Sequence, residues 1–358
     1  QYAKEHKLLS QPRGTLVGSY FGNKILLATP LLKWYIEHGL EVTNITLVIE
    51  YTPKACFKQF GQQVSDARRK GDLDSSQTVL AETFKLLGNS AYGKTLTNIA
   101  KHREIHYVST KHAPTLINES RFQKLTELND DTVEIEMNKK TVCWKLPLQI
   151  GYFVYQYAKL RMLEFYYDFL DRFVGRSDFQ LLEMDTDSLY MALSRDSFDD
   201  VVRPELKDQY FKEYNQWFPG QACFRHTAEF QLAGASELPW NPARCSGCLD
   251  RVRFYRRTPG LFKTEYKGDS FVGLCSKTYF CSGEEGGAKF SCKGLNKYHN
   301  TLTGDTYKRV LDTRESGGGT NVGFRTDGKT MFTYRQRRKS LSFFSTLKAS
   351  WLLMVSQL

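Results

Sequence analysis

The chain has 358 residues, with 50 Lys and Arg against 39 Asp and Glu and a formal net charge of +11. Its 41% hydrophobic and 14% aromatic content excludes a disordered or acidic solvating segment, and the length accommodates two or three domains. The positive surplus favours a polyanionic partner, with nucleic acid the default over anionic membrane.

No stretch approaches the roughly 18 apolar residues of a spanning helix. The opening Gln1-Tyr2-Ala3-Lys4-Glu5-His6 lacks the apolar core of a secretory signal, and the eight unevenly spaced cysteines do not form a disulfide framework. The expectation is an intracellular chain with reduced cysteines and a natural N-terminus lying upstream. Thr52-Pro53 has the form of a cap and first helical residue, and Phe57, Phe60, Val64 and Ala67 follow at helical spacing, so a helix is predicted to about Lys70. Gly71-Asp72-Leu73-Asp74-Ser75 turns the chain, and residues 76–93 again have helical composition, which gives an antiparallel helical hairpin. Val133, Ile135 and Met137 alternate as a strand does, and Val142 and Trp144 continue the pattern. Pro147 opens a predicted helix over 148–173 whose apolar stripe is Ile150, Phe153, Tyr157, Leu160, Leu163, Tyr167 and Leu170. After Gly175, the runs 179–184 and 188–193 read as two strands of a β-hairpin with an acidic tip.

That tip is Asp185-Thr186-Asp187. Two carboxylates two positions apart at a tight turn repel each other and call for a cation, with Mg²⁺ the natural oxygen-seeking choice; a polar turn accepting backbone hydrogen bonds is the alternative. In the second predicted helix Lys85, Asn89 and Tyr92 stand at i, i+4 and i+7, with Gly93 beside the ring. An ammonium, an amide and an aromatic ring on one face suit a nucleotide; an ordinary helix C-terminus is the alternative.

The string Lys85-x3-Asn89-Ser90-x-Tyr92-Gly93, followed by Asp185-Thr186-Asp187-Ser188 and then by Lys277-Thr278-Tyr279, resembles motifs B, C and Lys-x-Tyr of family B DNA polymerases in the family's order. Wider strings resemble the protein-primed polymerases of Polinton/Maverick-type elements and their viral relatives: residues 25–35, Val64-Ser65-Asp66-Ala67-Arg68-Arg69, and Arg257-Thr258-Pro259-Gly260-Leu261-Phe262-Lys263. The resemblance implies an α+β right-hand architecture. Residues 1–50 would be partial palm, 51–98 a helical fingers hairpin, 99–215 palm, 216–256 an insertion, 257–293 the palm–thumb junction and 294–358 thumb with a divergent tail. It implies template-directed DNA synthesis from dNTPs on a DNA primer–template with two Mg²⁺ ions, a terminal protein as primer, and a nuclear location if the source is a eukaryotic mobile element. Asp187 would be the main metal ligand with Asp185 beside it, Lys85 and Asn89 would face the dNTP, Tyr92 and Gly93 the nascent base pair, and Lys277 and Tyr279 the primer terminus.

Glu183-Met184 stands where the family carries Tyr-Gly, and nothing before Thr52 matches motif A or the 3′–5′ exonuclease. The chain alone is therefore expected to be inactive, and a DNA-binding polymerase remnant is the alternative reading. Cys223-x2-His226 and Cys245-x2-Cys248 have zinc-ligand spacing for a structural site; buried cysteines and an unrelated surface pair read equally from the same residues. Arg257, Lys263 and Lys293 belong to basic, aromatic-rich stretches suited to tracking phosphates, as does the Arg335–Lys339 run, which could instead be a nuclear localisation signal.

Overall fold

The computed structural model describes residues 25–220, 245–275, 277–283, 287–296, 298–327 and 330–342. The first helix, α1 (Thr29–Glu37), has Pro30 in its first turn, where a missing N–H costs nothing. Helices α2 (Lys58–Leu73) and α3 (Thr78–Thr95) follow, joined by a short 3₁₀ turn. Asp74 starts that turn by accepting the Ser76 N–H at 2.9 Å. The two helices pack antiparallel, with Gly71 against Ala81 and Val64 against Gly88, so seven residues forward on one correspond to seven back on the other. At Gly71 a Cβ would lie 2.4 Å from that of Ala81, so glycine sets how closely the hairpin closes. The predicted start at Pro53 is five residues early. The Lys58 N–H bonds to the Ala55 carbonyl in a separate turn, and the helix begins only after it.

A small antiparallel sheet of β1 (Arg103–Ser109), β2 (Phe122–Glu127) and β3 (Thr132–Asn138) has β3 at its centre, with Val133, Ile135 and Met137 buried beside the short α4 (Ala113–Ile117). Both edges of β3 are taken by β1 and β2, and the expected continuation through Val142 and Trp144 forms no strand; Trp144 is 67% exposed.

The long helix runs from Leu148 to Phe173 as predicted, but in three parts: α5 (Leu148–Leu163), a π segment over Glu164–Leu170, and a last α turn over Asp171–Phe173. Its buried row differs from the expected stripe. Tyr157 is 52% exposed, while Phe165, Phe169 and Phe173 point inward onto Tyr210 and Trp217 of α6 (Lys207–Trp217). A row spaced by four drifts around an α-helix of 3.6 residues per turn; widening to i→i+5 bonding keeps those three rings in line. α1 lies alongside α5, held by the Ala28 N–H to Gln156 at 3.0 Å and by the Trp34 indole to Asp168 at 2.8 Å.

Strands β4 (Phe179–Asp185) and β5 (Ser188–Leu193) form the predicted hairpin. After α7 (Ser246–Tyr255), a three-stranded antiparallel sheet of β6 (Ser270–Cys275), β7 (Thr278–Gly283) and β8 (Gly287–Cys292) packs on β4–β5 through Phe271, Tyr279, Leu182 and Tyr190. Another part of this sheet, with Val272 and Leu274, receives Tyr307, Val310 and Leu311 of α8 (Gly304–Thr313). The paired strands β9 (Gly317–Asp327) and β10 (Thr330–Leu341) complete the described chain. Among the described residues no helix is long and apolar enough to cross a membrane.

Candidate metal and nucleotide site

The alternation of β4 and β5 carries Asp185 and Asp187 to the end of their hairpin, where Asp185 pairs with Ser188. The Asp187 N–H bonds back to the Asp185 carbonyl at 2.5 Å, closing a three-residue turn around Thr186, whose φ is 49°. A β-branched residue in the left-handed region costs about 1–3 kcal/mol, a kind of strain that concentrates at functional sites. Asp187 is exposed and Asp185 half-buried. Two solvent-accessible carboxylates are the hard oxygen donors Mg²⁺ takes while keeping several waters, so the donor set fits that ion. Among the described residues no group of three or more His, Cys, Asp or Glu gathers as a metal-binding cluster.

The candidate face of α3 carries Lys85, Asn89 and Tyr92. Lys85 and Asn89 are exposed, and Tyr92 is half-buried with its ring edge-on to Tyr155 at 6.0 Å. Burial pushes the Tyr92 phenol up, and Tyr155 and the negative charge of Asp187 push it further, so Asp187 lies within electrostatic reach of Tyr92. The base of α3 is fixed where the Gly151 N–H donates to Thr95 Oγ1 at 3.1 Å; a Cβ on Gly151 would stand 2.3 Å from Leu96. Gly93 is different, because a Cβ there would meet nothing within 4 Å. Glycine inside a helix costs about 0.5–1 kcal/mol relative to alanine, and no contact within the described structure requires it here. Lys85 has Glu82 at 3.5 Å and also acts on Glu265. Desolvation works against the Glu265 carboxylate, yet Lys263 at 3.1 Å, with Lys289 and Lys85, holds it below the usual range.

Lys277 and Tyr279 would share a side if both lay in one strand, but Lys277 is outside β6 and β7. It lies instead in the turn between β6 and β7, with φ 64°, and its ammonium is 3.1 Å from Oδ1 of Asp185. Tyr279 is in β7, its hydroxyl 2.8 Å from that of Tyr190. The two residues still converge on the β4–β5 hairpin, one at its tip and one on its flank.

Among the basic candidates, Lys293 is exposed, and Lys263 is engaged by Glu265. Arg257 is half-buried in a bidentate pair with Asp72 near the end of α2, so this guanidinium clamps the helical hairpin. For the expected zinc site, Cys245 caps α7 and Cys248 is buried in its first turn, while Cys223 and His226 lie outside the described residues.

Sequence reasoning missed three participants. Glu183, read only as a departure from a motif, accepts the Lys277 N–H; its period-two relation to Asp185 was the available signal. Tyr190 bonds Tyr279, and Asp72 holds Arg257 across 185 residues, a separation no local pattern reveals. Comparison with protein-family models, curated proteins and solved structures finds no match.

Proposed function

We propose that this chain comprises the fingers, part of the palm and the thumb of a protein-primed family B DNA polymerase, which extends a primer 3′ hydroxyl with dNTPs on a DNA template. The observation that supports the reading is that Asp187 and Tyr92, 95 residues apart in sequence, come near enough for the aspartate charge to act on the phenol. Asp187, with Asp185 beside it and a further carboxylate from a motif A strand, would hold Mg²⁺, which when bound would supply activation of the attacking oxygen and charge stabilisation for the leaving pyrophosphate. Lys85 offers its exposed ammonium to the triphosphate, Asn89 its amide, and the bare Cα of Gly93 admits a base pair beside the Tyr92 ring.

The test measures dNTP binding to the chain loaded with primer–template in Mg²⁺, and primer extension by the chain joined to a motif A strand. Lys85→Ala should weaken dNTP binding about tenfold with primer–template affinity unchanged, and Asp187→Ala should lower extension about a hundredfold or more. Unchanged dNTP binding in the first variant, or undiminished synthesis in the second, refutes the assignment. A second reading, a remnant that binds DNA without synthesis, is favoured by the Lys277 ammonium already resting on Asp185. It requires Asp187→Ala to leave every measured property of the DNA complex unchanged.

A further inference from the structure

Glu183 and Asp185 leave the same face of β4, two residues apart, and Glu183 is only 7% exposed. Lys277 meets both from the β6–β7 turn, through two different groups. Its main-chain N–H donates to Oε1 of Glu183 at 3.1 Å, and its side-chain ammonium stands 3.1 Å from Oδ1 of Asp185. Its φ of 64° is one a long side chain adopts only where its surroundings hold it. The backbone of Lys277 is thus pinned against a buried carboxylate while its side chain, half-exposed, remains able to swing into water. The pivot is fixed, and the arm is held by its ion pair with Asp185.

We propose that Glu183 is a positioning residue that fixes Lys277 as the resident counter-cation of Asp185, so that a divalent ion engages Asp187 first and gains Asp185 only by displacing the lysine arm. The inference rests on the reading of the acidic turn as a metal site and adds a regulation of it. A divalent ion is repelled by a neighbouring ammonium twice as strongly as a monovalent one, so the two cannot comfortably share one carboxylate. It also gives the sequence Glu183-Met184 a role of its own. The β6–β7 hairpin is also seated on β4–β5 by contacts that do not involve Glu183, the Tyr190–Tyr279 hydroxyl pair and the Tyr190 ring against Phe271.

The experiment titrates Mn²⁺ into the full chain without nucleic acid and follows loss of the free-ion paramagnetic resonance signal. Lys277→Met should tighten Mn²⁺ binding about tenfold, and Lys277→Arg should stay within about twofold of wild type. Lys308→Met, which removes an exposed charge on α8, should change nothing, and this separates the effect from net charge. Glu183→Gln and Glu183→Ala both lose the charge, but only Gln keeps an acceptor for the Lys277 N–H. The Ala variant should bind Mn²⁺ about threefold more tightly than the Gln variant, and that difference should vanish in a Lys277→Met background. Equal affinities of the Gln and Ala variants, or unchanged binding in Lys277→Met while Asp187→Ala abolishes it, overturn the proposal alone. Mn²⁺ binding that survives Asp187→Ala unchanged overturns the reading of the turn and this inference with it.

Discussion

The aromatic block beneath the π segment and the acidic turn at the end of β4 are built on opposite terms. In the block, Phe165, Phe169, Phe173, Tyr210 and Trp217 are buried, with ring centroids 5.0 to 5.7 Å apart from Phe169 to Phe173, to Trp217 and to Tyr210, and the Tyr210 hydroxyl is satisfied by Asp199 at 2.5 Å. In the turn, the charged groups face water, one residue is held in a left-handed conformation, and the nearest cation belongs to another hairpin. The first is shaped by what it excludes and the second by what it can still accept. Under the proposed function, stability and chemistry are separable in this molecule, and substitutions should sort accordingly.

The largest effect should come from Phe169→Ala, which removes the ring at the centre of the block and costs about 3–5 kcal/mol by denaturant unfolding. A loss under 1 kcal/mol would show that the block is not the structural centre. Gly71→Val comes next: its Cβ meets Ala81 at a distance no packed pair tolerates, so the α2–α3 hairpin must splay at about 1–3 kcal/mol. If Gly71→Val unfolds like wild type yet changes dNTP binding, the hairpin belongs with the chemistry and the division fails.

The smallest effect lies between the two regions, where His38 ties α1 to the long helix. Its ring stacks on Trp34 at 3.8 Å, Nδ1 lies 2.8 Å from the Trp34 carbonyl and Nε2 lies 2.6 Å from Asp168. Burial pulls its pKa down, but the Trp34 carbonyl and the Asp168 carboxylate outweigh that and raise it. A histidine with a raised folded pKa contributes stability that is fully present below its ordinary value of about 6.5 and lost as pH rises through the folded value. With Asp168 over a third exposed, solvent limits the contribution to about 0.5 kcal/mol or less. Unfolding of wild type and His38→Gln at pH 5.5 and 8.5 should show a gap that narrows at the higher pH; a widening gap reverses the sign and refutes the assignment.

Much of the local architecture was readable in the residues. The β4–β5 hairpin follows from two apolar runs around Asp-Thr-Asp, and the α2–α3 hairpin from two helical periods around a Gly-Asp turn. What was hidden depends on partners distant in sequence. The π segment answers to Tyr210 and Trp217, which no reading of residues 148–173 could supply. The turn at Lys277 carries no Gly or Asn to announce it, because the Glu183 carboxylate does the holding. Trp144 had strand chemistry but no free edge of β3 to join. For the candidate site, the residue types were legible, whereas the ammonium on Asp185 and the clamp on Arg257 were not.

That clamp bears on how the molecule is made. Asp72 and Arg257 are 185 residues apart, so a ribosome working at roughly 5–20 residues per second finishes the tip of the helical hairpin about 10–40 s before its guanidinium is synthesised. The base of the hairpin at Gly151 and Thr95 becomes available partway through that interval, and its far end acquires a second anchorage only late in biogenesis.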